Sequence, residues 1–448
     1  MKHLNRRFLE LSAVNILSNL MVPIANLIDI AFLGHLEQIR HLAGVALAAV
    51  LFSYIYWSFG FLRMGTTGTT AQAAGRGDGD EVILTALRHG LAAVGIGAII
   101  LLLQQPLREL GFALLSADPE VKAAGRDYYN ALIWGAPATL LNFVLLGWFL
   151  GREQGTKVLL LSALDKGVNV VLNYLFIVRL HWASAGAGWA TAASQYLTLA
   201  VGILLVCREL RWQTVRALAP RISNRAALSA IFTLNRDIMV RTLALISTFA
   251  VFTNLGAALG TEVLVANTLL LQVVTLGAYF IDGLAFATES IAGNCRGQGD
   301  TKQLRALVKL SGAVSLGIGL GFALVFAVLP GPLFGLLTDR STIIAQIGNH
   351  VLWLFPVLGF GSLAYMLDGY FLGLTAGLIL RNSSLSSSLL GFAPAAWIAW
   401  QTGSNHLLWL ALTFFMAARM LTLGIQVPKT LKDSAVSVGG ATEARGKG

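Results

Sequence analysis

The chain has 448 residues, of which 56% are hydrophobic and only 12% charged, and its mean hydropathy is +0.71. Soluble domains carry about a quarter charged residues, so a soluble enzyme is excluded and an integral membrane protein is expected. The net charge of +10 does not signal nucleic acid. Lys and Arg gather in alternate loops, as the positive-inside rule requires, and the basic stretch 208–236 has no interleaved aromatic motif.

Repeated apolar stretches of about 20 residues suit spanning helices, whereas barrel strands are shorter and alternate in polarity. The predicted spans are 10–33, 42–64, 83–104, 127–150, 157–179 and 186–207, then 237–259, 263–290, 304–329, 349–373, 383–401 and 406–427. The fold class is therefore all-α integral membrane with twelve transmembrane helices. The first segment lacks a short apolar core with a small-residue cleavage site, so it is expected to be retained.

That first span carries Pro23, Asn26 and Asp29. A carboxyl in hydrocarbon costs about 2.5 kcal/mol or more on insertion scales, and so usually faces a protein interior or a wet cavity. Desolvation favours the neutral form of a carboxyl. A proline in the same helix leaves backbone groups for a side chain or water to engage. A group able to gain and lose a proton beside a bendable helix suits ion-coupled transport; the plainer alternative is an acid that snorkels to the interface.

An internal repeat sets the architecture. Arg76-Gly-Asp-Gly-Asp80 recurs as Arg296-Gly-Gln-Gly-Asp300, Phe112-Ala-Leu-Leu-Ser116 as Phe334-Gly-Leu-Leu-Thr338, and Trp148-Phe-Leu-Gly151 as Tyr370-Phe-Leu-Gly373. The offset stays near 220 residues. Two six-helix halves, each beginning on the same side, are parallel repeats about an axis along the membrane normal. The expected division is an N-terminal lobe at 1–207, a cytoplasmic connector at 208–236, a C-terminal lobe at 237–427 and a polar tail at 428–448, with both termini cytoplasmic. The Arg-Gly-x-Gly-Asp loops lack the Gly-Lys-Ser/Thr ending of a phosphate loop and read as surface turns. Arg63, Lys166, Arg241 and Arg419 are placed in or near helix ends, and Asp237 at a helix start as a cap. Trp134, Trp148, Trp353, Trp397, Trp400 and Trp409 read as interfacial anchors or cavity walls, with anchors favoured.

Several segments resemble the multidrug and toxic compound extrusion (MATE) transporters, specifically their DinF-like branch. They are Ile28-Asp-Ile-Ala-Phe-Leu-Gly-His-Leu36, residues 61–75, Leu145-Leu-Gly-Trp-Phe-Leu-Gly151, Leu234-Asn-Arg-Asp-Ile-Met-Val-Arg241, residues 279–289 and Leu367-Asp-Gly-Tyr-Phe-Leu-Gly373. The resemblance covers about residues 8–427. It implies the MATE/MOP fold of two pseudo-symmetric lobes, alternating access, and export of cationic or amphipathic organic compounds against H+ or Na+. It also implies a proton-coupling site in the N-terminal lobe built on Asp29, with Asn169 and Asn173 of the fifth span and, by a looser match, Tyr128 and Thr191. The i, i+4 spacing puts both amides on one helix face, with Asp165 one turn earlier. Relatives often carry an aspartate where this chain has Asn173, and an amide cannot ionise. The alternative for the pair is helix–helix hydrogen bonding.

In the second half, Asp282 and Glu289 lie seven residues apart on roughly one face. With Asp368 they are possible cavity acids that attract cationic substrates; the alternative is pairing with Arg236, Arg241 or Arg381. No cofactor or metal is expected, nor a nucleic acid partner. The expected protein is a monomer among the lipids of a bacterial inner membrane. A Na+-coupled exporter, an organic-acid exporter and a lipid-linked sugar flippase of the same fold remain as alternatives. A membrane enzyme is disfavoured, because no His-Glu-x-x-His or Gly-x-Ser-x-Gly motif occurs.

Overall fold

The computed structural model describes residues 2–36, 38–338 and 340–432, and among them there are helices and no strand. Eleven helical stretches are long and apolar enough to cross a membrane: His3–Gly34, Ile39–Gly75, Gly79–Leu102, Pro119–Gly151, Gly155–Arg179, Ala183–Glu209, Arg225–Ala258, Thr261–Gln298, Thr301–Val328, Ser341–Gly373 and Asn405–Lys432. The remaining predicted span is helical too, as Gly377–Ser386 and Ala393–Thr402 joined by a π-helical turn at Ser387–Phe392. Its first half reads Gly-Leu-Ile-Leu-Arg-Asn-Ser-Ser-Leu-Ser, too polar to register as a span by composition alone. In chain order these segments are called the first to twelfth spans. A second π-helical turn, Tyr174–Arg179, closes the fifth span.

Several spans run well past their predicted ends. Helix continues into polar residues outside the apolar window, where water satisfies the outward groups. The seventh span therefore starts at Arg225, and a short helix occupies Trp212–Leu218, so helix takes up much of the expected connector. Asp237 consequently lies inside the seventh span rather than at its start; it is 3% exposed and pairs with Arg381 at 2.8 Å and Arg236 at 3.2 Å. Residues 428–432 of the expected tail are helical, and 433–448 lie outside the described residues.

Contacts divide the chain into two compact units. One comprises Leu17–Thr70 and Asp78–Phe232; the other runs from Thr233 onward and includes the segments up to Ile16 and Ala71–Gly77. In the first, Trp148 is fully buried, its indole donates to the Val82 carbonyl at 2.9 Å, and it meets Phe149 edge-on. In the second, Tyr370 occupies the repeat-equivalent position, also fully buried and edge-on to Phe371. The core there includes Phe252, Leu270, Leu354, Trp409 and Phe415. Trp409 donates to Asn267 at 2.8 Å, while Asn267 and Asn405 exchange amide bonds at 2.8 and 3.0 Å. Trp148 and Trp409 are thus core residues rather than interfacial anchors, whereas Trp134, Trp397 and Trp400 are exposed.

The repeat is visible in backbone detail, but in a shifted register. Gly77 and Gly299 both adopt φ +72°, the left-handed region that favours glycine. Asp78 and Asp300 then cap the following helices, accepting from the Glu81 amide at 3.0 Å and the Gln303 amide at 2.9 Å. Gly299 follows Gly77 by 222 residues, so the two Arg-Gly-x-Gly-Asp loops align two residues away from their apparent sequence match. The Phe112/Phe334 and Trp148/Tyr370 pairs share the 222-residue spacing. Packing repeats with it: a side chain at Gly147 would collide with the Arg63 carbonyl, and one at Gly369 with the Ala285 carbonyl.

Candidate functional site

Asp29 is half-buried in the first span, six residues after Pro23. Its Oδ1 accepts a hydrogen bond from the Asn173 amide at 2.6 Å. The same Asn173 nitrogen donates to Asn169 Oδ1 at 3.2 Å, and Asn169 donates to the Thr191 hydroxyl at 3.1 Å. The Thr191 hydroxyl donates to the Ala187 carbonyl at 3.0 Å, so every donor points along the row away from Asp29 or directly at it. Asn173 and Asn169 are buried, and the Asn173 carbonyl oxygen has no hydrogen-bond partner among the described residues. The Tyr128 phenol lies beside Thr191 and within the field of Asp29.

One turn earlier on the fifth span a second polar group continues the row. Asp165 accepts from Gln195 at 2.9 Å and from Ser194 at 3.2 Å, and its other oxygen pairs with Lys166 at 2.9 Å. Asn142 donates to both the side-chain and backbone oxygens of Gln195, at 2.8 and 2.9 Å. Residues 165, 169 and 173 therefore form a ladder at i, i+4 and i+8 facing the sixth span. Lys166 is the leading charge acting on Asp29, followed by Asp165. Lys166 thus belongs to the interior of the site rather than to a helix end.

The second unit holds a different arrangement. Asp368 is 3% exposed, and its Oδ2 contacts both Arg241 and Arg419. Arg419 is fully buried and packs over the rings of Tyr365 at 5.3 Å and Phe415 at 5.6 Å. Of the two readings of Asp368, the arginine pairing is present: it is the shared counter-charge of two guanidiniums, as a buried charge needs partners. Arg241 is among the partners the sequence offers, and Arg419 is an additional one. Arg241 lies sixteen residues beyond Arg225, well inside its helix rather than at its start, and Arg419 lies five residues before Gly424. Asp282 is half-buried and acts on Tyr279 and Tyr365, and Glu289 is fully buried. Among the described residues no group of three or more His, Cys, Asp or Glu could hold a metal ion, and both cysteines are free thiols.

The MatE family model matches the chain twice, over residues 15–175 and 238–397. This chain belongs to the MATE transporter family. The two matches follow the same doubling as the backbone. The chain is 35% identical over 418 residues to the DNA damage-inducible protein F of Escherichia coli strain K12, covering 91% of this chain and 88% of that protein. It is 28% identical over 407 residues to a probable multidrug resistance protein NorM of a Synechococcus strain, covering 86% and 84%. A solved outward-facing multidrug resistance MATE transporter of the MOP superfamily shares the fold with a TM-score of 0.85 at 18% identity, covering 97% of this chain and 96% of that one. This MATE protein is therefore a multi-pass membrane transporter with the twelve-helix MATE/MOP fold.

Proposed function

We propose that the protein is a proton-coupled antiporter that exports hydrophobic or cationic organic compounds by alternating access. The carrying observation is the chemistry facing Asp29: an amide N–H at 2.6 Å and the Lys166 ammonium acting from the same helix. Sodium sites in transporters are built from oxygen ligands such as unwound carbonyls. Groups that present N–H to a carboxylate serve instead to sense whether it is charged. When Asp29 takes a proton it turns from acceptor to donor, and the Asn173 amide must rotate to offer its unpaired oxygen. The Asn169–Thr191 bonds would then rearrange with it, linking protonation to packing of the fifth and sixth spans. Coupling follows if proton and substrate stabilise different states, since a ligand shifts an equilibrium only by its differential affinity. The reading includes a bacterial inner membrane location, cytoplasmic termini, a monomer, and no cofactor.

Purified protein in vesicles, given a pH gradient and then a Na+ gradient, tests this with ethidium as reporter. Export driven by the pH gradient and lost in Asp29→Asn is expected. Export driven by Na+ alone would overturn the proton assignment. A second reading is export of an organic acid, favoured by the excess of one positive charge in the Arg241–Asp368–Arg419 trio. Export of a carboxylate but not of ethidium in the same vesicles would select it.

A further inference from the structure

A cavity of about 720 Å³ opens where the ninth span begins beside the end of the twelfth. Lys302, Arg305 and Lys309 line it from one side, and their i, i+3, i+7 spacing places them on one helix face. Lys432 enters from the other side, and Val308 and Leu431 form apolar wall. None of these four cations has an ion-pair partner among the described residues. Asp300, the nearest acid in sequence to Lys302, is taken up by capping: it accepts from the Gln303 amide at 2.9 Å and the Gln303 side chain at 2.8 Å. Four cations lining one cavity with no counter-charge among the described residues, set against an apolar wall on a membrane protein, describe a host for an amphiphile with an anionic head.

We infer that this cavity binds one anionic phospholipid, its phosphate held by Lys302, Arg305, Lys309 and Lys432 and its acyl chain laid along Val308 and Leu431. Basic pockets between spans at a membrane surface recognise phosphate headgroups in this way, with a contribution from each Lys or Arg. The volume suits a headgroup and the first part of a chain, since small-molecule pockets run to several hundred Å³. A lipid seated there would clip the end of the twelfth span to the start of the ninth.

The test is native mass spectrometry of the detergent-purified full chain, titrated with phosphatidylglycerol, phosphatidylcholine and soluble glycerol phosphate in turn. The protein should retain phosphatidylglycerol in preference to phosphatidylcholine and should not bind glycerol phosphate. The triple variant Lys302→Gln/Arg305→Gln/Lys309→Gln should lose affinity on the order of a hundredfold. A control variant, Arg208→Gln/Arg211→Gln/Arg216→Gln, removes three exposed cations elsewhere and should bind as the unaltered protein does. Lys302→Arg should also bind normally. Equal retention of the two lipids, an equal loss in the control variant, or comparable binding of glycerol phosphate would each overturn the assignment.

Discussion

The two units repeat one backbone but hold different charge clusters, and the second also encloses Asp282 and Glu289 outside its Arg241–Asp368–Arg419 trio. In the first, Asp29, Asp165 and Lys166 carry a formal excess of one negative charge; in the second, Arg241, Asp368 and Arg419 carry an excess of one positive charge. The 222-residue register shows that neither set has a counterpart. Opposite Asp29 stands Val251, opposite Asn173 stands Ala395, and opposite Asp368, Arg241 and Arg419 stand Leu146, Asn19 and Leu197. Glycine turns, aspartate caps and close helix approaches were thus kept in both copies while the chemistry was placed separately. The saturation also differs. Asp368 is held by two guanidiniums, whereas Asp29 accepts from one amide and stands half-exposed.

The most drastic way to break this contrast is to remove the poised acid. Asp29→Asn should reduce pH-driven export to the background leak while leaving thermal unfolding in detergent unchanged, as flux and melting measurements together would show. Next in size is the saturated site. Asp368→Asn leaves two buried guanidiniums without counter-charge and should cost about 3–5 kcal/mol, read as a lowered midpoint in detergent. Replacing the whole trio, Arg241→Met/Asp368→Leu/Arg419→Met, should recover most of that stability. If the triple variant melts as low as the single one, the charges themselves hold these helices together.

A smaller change probes the amide. Asn173→Ala removes a hydrogen bond to a charged acceptor, worth about 1.5–3 kcal/mol, and should slow coupled export about tenfold or more. Asn173→Asp instead adds an ionisable group beside Asp29, and the reversal potential of transport should then report more protons per substrate. An unchanged reversal potential would mean that this position only relays. Smallest are the paired turns. Gly77→Ala and Gly299→Ala force a side chain into the left-handed region and should each cost roughly 1–2 kcal/mol. Equal losses support the 222-residue register, and an effect confined to one turn would count against it.

Much of this was legible from residue types alone. Long apolar windows place the spans because hydrocarbon demands them, and Asp29 stands out because a carboxyl there is costly. Asn169 and Asn173 come from the resemblance to MATE transporters, and helical spacing then puts them on one face with Asp165 one turn earlier. What stayed hidden depends on distance rather than pattern. Arg241 looks like an end residue when helix limits are taken from hydropathy, because the seventh span begins at Arg225, well before its apolar window. The partners of Asp368 come from two other helices, and no local spacing encodes such a meeting. The loop register misled for a simpler reason. Two glycines two residues apart occur in each loop, and only φ shows which one turns the chain.

The π-helical turn at Tyr174–Arg179 begins directly after Asn173, and Ser387–Phe392 forms another in the eleventh span. Such a turn winds one residue more than an α turn does. It is a stored insertion: excising one residue from 174–179 would let the helix close as ordinary α while everything downstream keeps its bearing. Tightening the turn without a deletion would instead swing the downstream residues by about 100° around the axis. The fifth span therefore carries one residue of slack at the very place where it meets Asp29, and its far end can be re-aimed without unwinding the amide ladder above it.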